Sequence, residues 1–407
     1  MPATTPLIQR PWFRVALGLF AVAWGGNQFT PLLVMYRELD GMSATTVYLL
    51  LGVYVLGIAP GLLIGGPASD KYGRRALMLP APFLAAGGSL LLALGPHSVP
   101  LLMAGRLLTG VALGLAMAVG TSWIKELSSP PFDNASALAG ARRSSLSLTS
   151  GFALGAGAAA ALAQWGPWPT GTPYLLNIAL CVVAGLWQFG APETAGPGTG
   201  RPVPRRLIDA LKVPAVFERR FLLVIIPVAA WVFGTNAVSY AVLPNLLMGE
   251  VPGFTIAFSG LMCLVGLSCG FITQQFAGRF QKEGTSRGLV IAMALAALGM
   301  LGAAATAATV SVPVGLAASA LLGVSYGFLI LGGLREVQAI ARPEDLAGLT
   351  GVFYSIAYAG FFVPMALSIL SAWIPYPVLM IIGSGVALIA LALVAAGGKL
   401  DPQARLK

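Results

Sequence analysis

The chain has 407 residues, of which 57% are hydrophobic and 9% charged. Soluble domains carry about 25% charged residues, so this composition excludes a soluble globular protein, a disordered chain and a nucleic-acid binder with a basic face. The 24 Lys and Arg against 14 Asp and Glu leave a net charge of +10, which in a membrane protein reflects cytoplasmic loops rather than an acidic partner.

A hydrocarbon core of about 30 Å needs roughly 20 apolar residues per helix. The first such run covers about 15–35, with Pro11 and Trp12 just before it. It is too long for a signal-peptide core, and no small-residue cleavage site follows, so the N-terminus reads as uncleaved. Further helices are expected over 46–67, 76–94 and 99–124. A polar segment from Lys125 to Asn134 precedes a helix at 144–163. A Gly/Pro/Trp turn at 165–173 leads into the next, at 174–189. The longest polar stretch, 193–220, holds Arg201, Arg205, Arg206, Lys212, Arg219 and Arg220. Six more helices are expected at 221–246, 255–276, 288–308, 313–334, 346–370 and 378–396. The fold expected is an all-α membrane protein, with twelve transmembrane helices in two six-helix bundles. The bundles take residues 1–193 and 221–407, joined by a cytoplasmic linker at 194–220.

Charge placement orients this topology. With both termini cytoplasmic in a plasma (cell inner) membrane, every Lys and Arg but two falls on the cytoplasmic side. Arg37 lies outside, and Arg106 lies within a span. Cys181, Cys263 and Cys269 sit in apolar runs and read as packing residues. The halves also repeat weakly. Trp24 matches Trp231 at a spacing of 207 residues, and Gly57, Gly61 and Ala68 match Gly266, Gly270 and Ala277 at 209. Two six-helix halves in the same orientation form a transporter pattern.

The segment Gly66-Pro67-Ala68-Ser69-Asp70-Lys71-Tyr72-Gly73-Arg74-Arg75 joins the second and third helices. Gly73 permits a sharp turn, Asp70 suits a helix N-terminus, and Arg74 and Arg75 suit acids or lipid headgroups. The segment resembles the signature loop of the major facilitator superfamily. The second-half counterpart, 277–282, lacks the Asp. Arg106-Leu107-Leu108-Thr109-Gly110 resembles the fourth-helix motif of the same superfamily, an Arg with a Gly four residues on. Charge at a helix centre costs about 2.5–3.5 kcal/mol, so Arg106 binds an anion, tunes a proton site, or snorkels outward. Gly151, Gly155 and Gly157 lie where the antiporters of that family carry a Gly-rich stretch with a Pro, and this chain has no Pro there. Close helix packing explains these glycines equally.

The resemblance implies two bundles rocking about a central cavity, with Gly66, Asp70, Gly73, Arg74 and Arg75 gating the motion. Polar and aromatic groups at matching depths are expected to line the cavity: Trp24, Asn27, Gln28 and Thr30 against Trp231, Thr235, Asn236 and Ser239, with Arg106, Tyr54, Tyr326, Tyr354 and Tyr358. Interhelical hydrogen bonding is the alternative for each. Gly323-Val324-Ser325-Tyr326-Gly327 copies a hydrolase nucleophile elbow in a membrane helix, while the one histidine, His97, lies in a loop. Neither an enzyme nor a phosphate-binding loop is expected, and no cofactor or metal is implied. No Asp or Glu falls inside an expected span; Glu38 and Asp40 flank the first helix, and Asp70 the second. The expected partners are a small-molecule substrate and the lipid bilayer, with protons left open and nucleic acid excluded. The leading expectation is an exporter of small apolar or anionic compounds. Uptake or facilitated diffusion of a metabolite, and a receptor on the same fold, stand as alternatives.

Overall fold

The protein was analysed as a computed structural model, which describes residues 9–136, 138–196, 213–277, 285–342 and 346–399. Most of the expected linker and the basic residues Arg201 to Lys212 lie outside the described residues, as do 278–282 of the second-half loop, Arg405 and Lys407. The described residues are helical, with no strand among them.

The principal helices are α1 (Pro11–Leu39), α2 (Ala44–Tyr72), α3 (Arg74–Leu94), α4 (Val99–Leu127), α5 (Ala139–Trp165) and α6 (Thr172–Gln188). They continue as α7 (Phe221–Glu250), α8 (Thr255–Ala277), α9 (Arg287–Thr309), α10 (Val312–Ile340), α11 (Gly348–Leu370) and α12 (Tyr376–Gly397). Among the described residues, ten of these are long and apolar enough to cross a membrane, all but α1 and α6. The 29-residue α1 is long enough but carries Asn27 and Gln28 in its middle, and α6 is apolar but only 17 residues long.

Several helices outrun the apolar stretches that announce them. The segment 66–72, expected as a loop, is the last part of α2; the turn is confined to Gly73, whose φ of 100° favours glycine. Glu126 lies in α4 rather than in a polar loop, and α10 continues past Leu334 to carry Glu336. Hydropathy ended these helices early because it counts a charge as a breaker, whereas each of these acids has a basic partner.

Residue contacts group the chain into two compact units. The first holds the residues up to Phe29 and those from Val53 to 196; the second holds Thr30–Gly52 and those from Val213 onward. Close glycine crossings build both. In the first unit α2 and α4 touch backbone to backbone: a Cβ on Gly57 would strike the Leu107 carbonyl, and one on Gly61 would lie 2.9 Å from Gly114 Cα. In the second, α8 and α10 do the same, with Gly323 against the Gly266 carbonyl and Gly327 against that of Gly270. Lipid gives helices no hydrophobic reason to associate, so such dispersion contacts carry the packing. The weak sequence repeat is thus a repeated crossing, and Gly110 and Gly114 recur at a spacing of 213 as Gly323 and Gly327. The elbow-like run at 323–327 is therefore half of a helix contact. Gly151 and Gly155 serve α1 and α5 likewise, meeting the carbonyls of Phe20 and Trp24. Gly360, 209 residues after Gly151, meets the backbone of α7 at Gly234.

In the second unit, helices α7 to α10 and α12 share an apolar core that includes Val238, Leu247, Phe258, Met262, Met300, Leu322 and Met380.

Candidate functional site

In the first unit the α2–α4 crossing sets Tyr54 beside Arg106, and α1 brings Phe29 to the other side. The Arg106 guanidinium carbon lies 3.9 Å from the Tyr54 ring centre and 4.4 Å from that of Phe29, and the residue is 1% exposed. A desolvated cation–π contact is worth about 2 kcal/mol, so two of them offset much of the cost of an intramembrane charge. Gly26 makes room for this arrangement, since a Cβ there would lie 2.5 Å from the Tyr54 hydroxyl. That hydroxyl is buried and has no hydrogen-bond partner among the described residues.

The other first-unit candidates have neighbours of their own. Asn27 Nδ2 donates to the Phe152 carbonyl of α5 at 3.2 Å. Gln28 is fully buried and donates to Ser89 Oγ at 3.1 Å and Asn177 Oδ1 at 3.5 Å. Ser89 donates to Asn177 Oδ1 at 2.8 Å, and Asn177 Nδ2 to the Ala21 carbonyl at 2.9 Å, so this chain ties α1, α3 and α6. Trp24 meets Phe20 edge-on at 5.9 Å, and its indole N–H has no partner among the described residues.

The second unit gathers aromatics instead. Phe233 of α7 stacks on Tyr358 of α11 at 4.2 Å and lies 5.2 Å from Phe361 and 5.9 Å from Tyr326 of α10. Tyr354 turns edge-on to Phe353 at 5.6 Å. Asn236 is fully buried, and both its amide atoms have no partner among the described residues. Trp231 packs against the apolar core, and its carbonyl accepts from the Thr235 hydroxyl at 2.9 Å. Phe29, Phe233 and Phe361 escaped the sequence reading; the one available signal was Phe361 three residues after Tyr358, on the same helical face.

The two units differ at one corresponding place. Arg106 stands four residues before Gly110, and Ser319 four residues before Gly323. Ser319 shares a 2.6 Å hydrogen bond with Ser239 of α7.

At the ends of α2, α4 and α6 a charged cluster surrounds the signature segment. Arg74 pairs with Asp70 at 2.7 Å and with Glu126 at 2.9 Å, and also bonds Ser69. Glu193 accepts from the backbone N–H groups of Arg74 at 2.8 Å and Arg75 at 3.0 Å, capping α3 with a carboxylate. The helix-terminus role expected of Asp70 thus falls to Glu193. A Cβ on Gly73 would lie 2.5 Å from Glu193 Oε2, so this turn needs glycine for space as well as for φ. Arg75 reaches the Ala191 carbonyl, and Gly66 faces open space. A second charged cluster joins Arg220 to Glu336 at 2.9 Å, with the Ser286 hydroxyl donating to Glu336 at 2.8 Å. All three residues are buried. Arg106 is therefore not the one buried charge; Arg74, Arg220 and Glu336 accompany it.

At the far end of α1, still within the second unit, Arg37 donates to Asn245 at 2.8 Å. Glu38 accepts from Thr255, Tyr48 donates to the Ala241 carbonyl at 3.2 Å, and Thr45 bonds Ser368 at 2.9 Å.

Ten membrane-length helices, glycine crossings repeated between halves and polar groups sequestered at mid-helix define a multi-span membrane protein of the solute-transporter class. A sequence profile of the Major Facilitator Superfamily matches residues 15–363, and the chain belongs to that family. It is 30% identical over 141 residues to the "Probable inositol transporter 2" of Arabidopsis thaliana, covering 35% of this chain and 20% of that protein. It is 36% identical over 78 residues to the "3-(3-hydroxy-phenyl)propionate transporter" of Escherichia coli strain K12, covering 19% of each. Across the curated relatives, the matched segments span 17% to 30% of their lengths. Among solved structures, the D-xylose-proton symporter superposes with a TM-score of 0.71 at 15% identity, over 97% of this chain and 99% of that one. The nucleoside transporter NupG does so with a TM-score of 0.71 at 12% identity, over 98% and 100%.

Proposed function

We propose that this protein is a twelve-span importer that moves a small hydroxylated organic solute by alternating access of two six-helix bundles, 1–193 and 221–407. The membrane is the plasma membrane, with both termini cytoplasmic, as the placement of Lys and Arg supports. The observation that carries the reading is Arg106, a cation buried in the first third of α4 against two rings in a chain of this family. An intramembrane charge held at this cost marks a solute or ion path.

Import replaces the export favoured by the sequence alone. Curated relatives bear the names of inositol, polyol and glucose transporters, and α5 lacks the proline of the antiporter stretch. The solute contacts are drawn from Arg106, Tyr54, Trp24, Asn27, Trp231, Asn236, Tyr326, Tyr354 and Tyr358. Gln28 is assigned to the α1–α3–α6 bond network rather than to the solute. Gly66, Asp70, Gly73, Arg74 and Arg75 set the balance between the two access states. Transport follows the solute gradient without a proton, because Asp70, Glu126 and Glu336 are engaged by arginines.

The test is uptake by the purified protein in proteoliposomes, using labelled D-glucose, myo-inositol, D-glucuronate and 3-phenylpropionate, with and without an inward proton gradient. Saturable uptake of at least one solute is expected, unaffected by the gradient and strongly reduced in Arg106→Gln. Acceleration by the gradient overturns facilitated diffusion. Absence of flux for the whole panel overturns the solute class, and wild-type rates for Arg106→Gln on a transported solute overturn the assignment of Arg106.

A further inference from the structure

The internal repeat supplies a reference for Arg106. α4 and α10 play the same part at their two crossings, with Gly110 and Gly114 in one and Gly323 and Gly327 in the other. A duplicated scaffold retains what its packing requires, and the four glycines are such residues. The arginine is not: the second copy fills the corresponding place with Ser319, bonded to Ser239. Packing of α4 therefore does not explain a guanidinium at this position.

The geometry around that guanidinium selects its ligand. The rings of Phe29 and Tyr54 hold its central carbon at 4.4 and 3.9 Å. A guanidinium carries its N–H groups in its own plane, and a carboxylate meets them there with two parallel hydrogen bonds. Tyr54 adds a second donor, since its hydroxyl is buried with no partner among the described residues. An arginine beside a neutral donor suits the single charge of a carboxylate better than the greater charge of a phosphate monoester.

We propose that Arg106 and Tyr54 form a seat for a carboxylate, and that the transported solute is an organic monoacid rather than a neutral sugar or polyol. The proposal rests on the transporter reading above and narrows it. Phe29 acts as a positioning residue that holds the guanidinium edge toward the acid.

Matched pairs differing in the acid group test it: D-glucuronate against D-glucose, and 3-phenylpropionate against 3-phenylpropan-1-ol. Binding is read on the full chain in detergent by intrinsic tryptophan fluorescence, and flux in proteoliposomes. The wild type is expected to bind an acid at least about tenfold tighter than its neutral partner. Arg106→Gln should abolish that preference by weakening acid binding far more than binding of the neutral partner, and Arg106→Lys should restore part of it. Tyr54→Phe, which keeps the ring over the guanidinium, should weaken acid binding severalfold and alcohol binding less. Equal affinity for acid and neutral partner in the wild type overturns the seat. So does an equal loss of both in Arg106→Gln, or no binding of either acid at about 10 mM. Acid binding without flux keeps the seat and sinks the transporter reading; flux of the neutral partners alone does the reverse.

Discussion

Two glutamates stand 210 residues apart, Glu126, partly buried near the end of α4, and Glu336, buried near the end of α10. Both neutralise a buried arginine, but they draw it from different places. Glu126 takes Arg74 from the start of α3, whereas Glu336 takes Arg220 from just before α7. The first arginine also has Asp70, whose side chain is 45% exposed. The second has a hydroxyl, Ser286, beside the Glu336 carboxylate. Removing one partner of a buried pair is costly because the other charge stays in a poor solvent. The first cluster keeps Asp70 on Arg74 when Glu126 is lost, and Glu336 holds an arginine buried more deeply in its pair.

The largest effect is expected from Glu336→Gln, which removes a buried carboxylate from the Arg220 charge and should cost about 3–5 kcal/mol of stability. Thermal unfolding in detergent measures it, and Arg220→Met in the same chain should recover most of the loss. Glu126→Gln should cost less, about 1–3 kcal/mol, because Asp70 still faces Arg74. An equal fall in the two melting temperatures would break the comparison. Ser319→Ala removes the bond to Ser239 and should cost about 1 kcal/mol, with acid preference intact. Asp70→Asn should cost less than about 1 kcal/mol, since the group is half exposed. Its effect should appear in the balance of access states, read by cysteine labelling from either side of the membrane; an unchanged labelling pattern would remove Asp70 from the gating set.

The sequence carried the outline of this molecule through its apolar runs, and the repeat through Gly57, Gly61 and their counterparts. What those glycines meet was not legible, because a crossing depends on which helices are neighbours. Arg106 was visible as a charge in an apolar run, and Tyr54 as a polar ring. Their pairing was not, since 52 residues separate them and no local pattern links α2 to α4. Gln28 was rightly singled out as costly in lipid, yet its partners Ser89 and Asn177 lie 61 and 149 residues away. Glu336 was missed for a different reason. A hydropathy window treats a buried, paired acid as solvent-exposed loop, so α10 was cut short before it.

The grouping of Thr30–Gly52 with the second unit bears on how the chain is made. This hairpin leaves the ribosome well before its partners: Asn245, Thr255 and Ser368, which its side chains bond, come 208, 217 and 323 residues later. At roughly 5–20 residues per second, Thr45 waits on the order of 16–65 s for Ser368 to be synthesised. Through that interval its polar groups must be served by lipid headgroups, water or a chaperone. A C-terminal half expressed alone would never receive the hairpin. Its exposed Ala241 carbonyl, Asn245 and Ser368 would make it a target for membrane quality control, and supplying residues 30–52 on a separate N-terminal half should rescue it.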